Sequence, residues 1–133
     1  MRYFILSLFV ALALSGAARA DEAALRAVIS SQIEAFLAGD VDRAYSFASP
    51  FIQRKFGTPE TFGTMVREGY PMVWRPSDVT FLDAEVIAGK LWQSVMLRGP
   101  AGKSWIVDYE MVELEDGWKI NGVQVRAAPE VAA

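Results

Sequence analysis

The sequence has 133 residues, 13 Lys and Arg against 16 Asp and Glu, a formal net charge of −3, and neither cysteine nor histidine. That length is one domain's worth, and an acidic chain without a basic cluster lacks the Lys and Arg that dominate binding to nucleic acid and anionic membrane. Without His or Cys there is no Ser-His-Asp or Cys-His machinery, no c-type haem attachment, no disulfide and no usual His/Cys zinc site; catalysis would fall to Asp, Glu, Tyr, Lys or Arg.

Arg2 precedes an apolar run from Tyr3 to Leu14, followed by Ser15, Gly16 and the small-residue pattern Ala18-Arg19-Ala20. A positive residue, a short apolar stretch and A-x-A is the order that a secretory signal requires. The run falls short of the about 20 apolar residues needed to span a bilayer. The expectation is cleavage after Ala20, a periplasmic or secreted product, and no membrane attachment afterwards. Residues 1–20 are read as signal peptide, 21–126 as a single domain and 127–133 as a flexible tail. Without Arg2 and Arg19, eleven basic residues face sixteen acidic ones, a net of −5.

From Asp21 to Ala38, Leu25, Val28, Ile29, Ile33, Phe36 and Leu37 recur at helical spacing. Gly39 stops that helix, and Asp40 caps a second one through Val41, Ala44, Tyr45, Phe47 and Ala48. Pro50 is expected to end it, with a further helical turn from Phe51 to Phe56 closed by Gly57. Thr58-Pro59-Glu60 reads as a helix start, with Phe62, Met65 and Val66 as its buried stripe and Gly69 as its stop. The stretch 70–76, flanked by prolines, reads as an ordered crossing segment with a short edge strand.

After Ser77 the apolar period becomes two. Val79–Ile87, Leu91–Arg98, Ser104–Leu114 and Trp118–Arg126 are predicted strands, separated by Ala88-Gly89, the loop 99–102 and Asp116-Gly117. The apolar phase shifts across Asn121-Gly122, from Trp118 and Ile120 to Val123 and Val125, which marks a bulge. If Arg98 opposes Ser104, one face of the sheet gathers Leu91, Gln93, Val95, Leu97, Trp105, Val107, Tyr109 and Met111. This face covers the helices. The predicted class is α+β: amphipathic N-terminal helices packed in a curved antiparallel sheet of at least four strands, whose conical mouth becomes a pocket.

Tyr45, Phe62, Trp74, Gln93, Trp105, Tyr109 and Trp118 are the expected pocket residues, suited to a small apolar ligand. Such aromatics are more commonly plain core. Gln93 and Tyr109 are expected to be neighbours there, satisfying each other's hydrogen bonds or a ligand's. The opposite face carries Trp92, Met96, Ile106 and Val112 with Asp108 and Glu110, an apolar patch that predicts a homodimer. Acids alternating along strands are read as a solvated face rather than a cation site. Neither a metal nor a cofactor is expected.

Ala38-Gly39-Asp40-Val41-Asp42-Arg43-Ala44-Tyr45, after an amphipathic helix, resembles the opening of the nuclear-transport-factor-2-like superfamily, which includes SnoaL-like and ketosteroid-isomerase-like proteins. Asp116-Gly117-Trp118-Lys119-Ile120-Asn121-Gly122-Val123 is similar to its terminal strand. The likeness covers nearly the whole domain and, more closely, looks like an exported branch assigned only as a domain of unknown function. It implies the cone-shaped, cystatin-like fold. Members include isomerases, dehydratases, cyclases and non-catalytic carriers. For the enzymes it implies a pocket Asp with a Tyr donor, a part that Tyr45 or Tyr109 could take. Asp108 and Glu110 fall on the wrong face, so no catalytic residue carries over. The reading is therefore a small binding or interaction domain, with a cofactor-independent enzyme using a pocket carboxylate and Tyr as the alternative.

Overall fold

The computed structural model describes residues 21–129; the predicted signal peptide and the last four residues of the predicted tail lie outside them. Helix α1 covers residues 21–37, followed by α2 (Val41–Ser46), α3 (Pro50–Phe56), α4 (Pro59–Gly69) and α5 (Pro71–Trp74). Leu25, Ile29, Ile33 and Phe36 form one stripe of α1, and each is 3% exposed or less. The helix ends where Gly39 turns to φ 71°. There the Asp40 amide donates to the Ala35 carbonyl and the Gly39 amide to that of Phe36, so a glycine closes the last turn without a Cβ clash. Asp40 then caps α2 by accepting the Arg43 amide at 3.1 Å.

Two prolines act differently from the expectation. Pro50 opens α3 rather than closing α2, and Ser49 is the cap, its Oγ accepting the Ile52 amide at 3.3 Å. Pro71 opens α5, so the stretch 70–76 holds a helical turn that buries Met72 and Val73 instead of an edge strand. Proline suits the first helical position because the N–H it lacks has no partner there. Thr58 and Pro59 start α4 as expected. Gly63, inside α4, has a packing reason: a Cβ there would lie 2.6 Å from Val41 Cγ1. It lets α4 settle on α2, which offsets the cost of a mid-helix glycine.

The second half is a curved, unclosed antiparallel sheet of β1 (Asp78–Ile87), β2 (Lys90–Arg98), β3 (Ser104–Leu114) and β4 (Gly117–Ala127) in that spatial order. The fold is α+β. Ala88 and Gly89 both take positive φ in the tight β1–β2 turn, the geometry that two-residue hairpins prefer. Arg98 pairs with Ser104, the expected register. Asn121 is the extra residue of a bulge between the Met111–Ile120 and Glu110–Gly122 pairs. A second bulge sets Leu82 and Asp83 against Ser94. Bulges bend a strand and increase its twist, and the sheet curls around α1. On the concave face Gln93, Val95, Leu97, Val107 and Tyr109 are completely buried. No helix of the described residues is long and apolar enough to cross a membrane.

Candidate functional site

A cavity of about 270 Å³ lies between the helical layer and β4. Its wall is mainly apolar: Phe36 from α1, Ile52 and Phe56 from α3, Phe62, Met65 and Val66 from α4, Val73 from α5, and Ile120 and Val123 from β4. Gln32, Lys55, Tyr70 and Asn121 supply the polar points. The bulge is what presents Asn121 and Gly122 to this space, since it interrupts the strict alternation of β4.

A chain of hydrogen bonds fastens that part of β4 to the helices. The Ser49 amide donates to Ile120 O at 2.8 Å, and the Ile120 amide to Phe47 O at 2.9 Å. Ser49 Oγ donates to Asn121 Oδ1 at 2.7 Å, and Asn121 Nδ2 donates to Glu110 Oε2 at 2.6 Å. Lys90 Nζ stands 3.7 Å from the other Glu110 oxygen. Glu110 is only 9% exposed although it points away from the helices. A nearly buried carboxylate needs such partners.

Of the seven residues expected to make the pocket, Phe62 stands in the cavity wall. The Tyr45 ring meets that of Phe62 at a tilt of 58°, centroids 5.6 Å apart, and its hydroxyl donates to Gln53 O at 2.7 Å. Trp74 packs on Phe36 at 5.5 Å, with the Arg75 guanidinium over its ring. Trp105 lies under Lys103, and Trp118 is half-buried against the core. Gln93 and Tyr109 are cross-strand partners. They do not satisfy each other. Gln93 Nε2 donates to Leu82 O and Ser94 O, and Arg26 reaches both Gln93 Oε1 and Leu82 O. Gln93 is spent on holding the β1 bulge. Tyr109 Oη is left buried with no partner among the described residues, and burial pushes its pKa up.

Sequence reasoning missed most of the wall: Phe51–Phe56 was expected as a helical turn, but nothing in the pattern placed that turn, or the helical turn at 71–74, beside a cavity lined by β4. Lys55 and Tyr70 had no periodic signal to single them out. Asn121 did carry one, the phase shift itself.

On the convex face Trp92, Met96 and Val112 are half-buried and Ile106 is 7% exposed. Asp108 sits among them. Burial alone would raise its pKa, but hydrogen bonds from Arg126 and Ser94 and the Arg126 charge hold it below the ordinary value. No three carboxylates gather as a possible cation site among the described residues.

The sequence model of a family described as "Domain of unknown function (DUF4864)" matches residues 18–133. The chain belongs to that family. No curated protein and no solved structure matches it.

Within this DUF4864 domain the orphaned phenol makes a sharp test of packing. A buried hydroxyl without a partner bears its desolvation cost with no return. Tyr109→Phe should therefore raise stability by roughly 1 kcal/mol, seen as a higher denaturant midpoint at unchanged slope. A fall in stability would show that the hydroxyl has a hydrogen-bond partner in solution.

Proposed function

We propose that the protein is an exported, non-catalytic binding domain that holds a small apolar ligand between its helices and β4 and pairs with a second copy through its sheet. The observation that carries this is the cavity of about 270 Å³ with its apolar wall and few polar points. Small-molecule sites have this character, and their volumes start at roughly 300 Å³, so the ligand is small. The nuclear-transport-factor-2-like relationship belongs to the same proposal. Its support is that Gly39-Asp40 joins two capped helices and that Gly117-Trp118 opens the strand of the curved sheet that lines the cavity. The order Arg2, apolar run, Ala18-Arg19-Ala20 supports export to the periplasm or beyond, with cleavage after Ala20.

Binding is favoured over proton abstraction by the placement of the titratable groups. Among the described residues the cavity wall contains no Asp or Glu. Asp108 and Glu110 stand on the convex face in register with Ser94 and Trp92. The Tyr45 hydroxyl is committed to Gln53. An isomerase-type site needs a carboxylate of raised pKa beside its donor, and the wall offers none.

Titration with small uncharged compounds such as naphthalene and decanol tests the cavity. A compound that binds should stabilise the protein by about 2.7 kcal/mol at a hundredfold excess over its Kd, raising Tm by several degrees. Val123→Phe, which fills the space from a strand position, should abolish the shift while leaving the fold intact by circular dichroism. Absence of any shift, or the same shift in the filled variant, would contradict the reading.

Pairing rests on Trp92 and Met96, half-buried on a face that also carries Asp108, Arg126 and Lys90. Opposite charges around an apolar centre allow a two-fold, self-complementary contact. Sedimentation velocity should show a dimer that Met96→Asp converts to monomer. A native protein that stays monomeric at high concentration would refute the pairing.

A further inference from the structure

With the cavity taken as the ligand site proposed above, its rim sets what the ligand's polar end must be. Among the described residues that line it, Lys55 is the only charged one, although the chain as a whole is net negative. Lys55 lies in the last turn of α3 and is exposed, its Nζ 5.7 Å from the centre of the Phe56 ring. No ion pair engages it among the described residues. Beside it Phe51, 55% exposed, extends the apolar wall to the surface. One unpaired ammonium at the rim and an apolar interior behind it define a ligand with a polar, negative end and a greasy body.

We infer that the cavity takes a free, single-chain amphipathic monocarboxylate, its tail among Phe36, Phe62, Val66 and Val123 and its carboxylate at Lys55. A phosphate group would want a second cation or the fork of an arginine, and the wall has neither. A cationic ligand would meet repulsion with no carboxylate to answer it. The charge selects and the tail drives. An exposed pair changes affinity by about fivefold at most, whereas each methylene buried adds about fourfold.

Calorimetric titration of the full protein with octanoate, nonanoate and decanoate, all as monomers, tests this, with decanol and decyltrimethylammonium as matched probes. Affinity should climb about fourfold per methylene until the space is full. Decanoate should bind up to about fivefold tighter than decanol, and decyltrimethylammonium weakest. Lys55→Met should erase the preference for decanoate over decanol, read as the ratio of the two affinities in the same variant, with circular dichroism confirming the fold. Equal binding of decanoate and decanol by the native protein, or a preference that survives Lys55→Met, overturns the assignment of the carboxylate while the apolar site stands. If none of these probes binds, the assignment and the cavity reading fall together.

Discussion

The structure depends on how an edge strand is tied to the helices that lie in front of it. The amide and carbonyl of Ile120, together with Ser49 N and Phe47 O, form a short parallel bridge, the Ala48–Ile120 pair. An edge strand otherwise presents unpaired N–H and C=O groups, which cost free energy if buried and invite aggregation if not. Here the link between α2 and α3 takes them up. That is also why α2 stops after six residues: the chain must extend through Phe47–Ser49 to meet β4 before Pro50 can start the next helix. The clamp fixes α3 at a distance from β4, and the cavity is the space left between them.

The same site joins the two faces of the sheet. Asn121, displaced by the bulge, accepts from Ser49 on the helical side and donates to Glu110 on the other. Gly122 follows it, and a Cβ there would meet Glu110 only at ordinary contact distance, its Oε1 3.8 Å away. One irregularity thus lines the cavity, satisfies a nearly buried carboxylate and lets β4 resume its alternation through Val123 and Val125. At the far edge a second bulge is held by Gln93 and Arg26. Curvature at both edges is stabilised by side chains that bond to backbone or to each other, and the apolar middle needs none of this.

Much of this was legible in the residues. The period-two pattern set four strands and, with Arg98 opposite Ser104, the faces of β2 and β3. The shift from Ile120 to Val123 located the β4 bulge. An equivalent shift in β1, from Val79 and Phe81 to Ala84 and Val86, carried the same message but was masked by Leu82, an apolar residue in the bulge itself. What stayed hidden was set by tertiary contact. Whether Pro50 closes one helix or opens another depends on Ile120, some seventy residues away. The aromatics of the sequence drew attention to the core, yet the cavity wall is completed by Ile52, Met65 and Val73, which look like any buried residue.

The claim that the clamp between the α2–α3 link and β4 holds the cavity in shape is tested most directly by native-state hydrogen exchange at two amides. Ser49 and Ile120 should exchange only through global unfolding, as slowly as Val107 in the middle of the sheet. Exchange of either through local opening, at a rate near that of the Ala88-Gly89 turn, would mean that the edge of β4 is not fastened and that the space behind it has no fixed form.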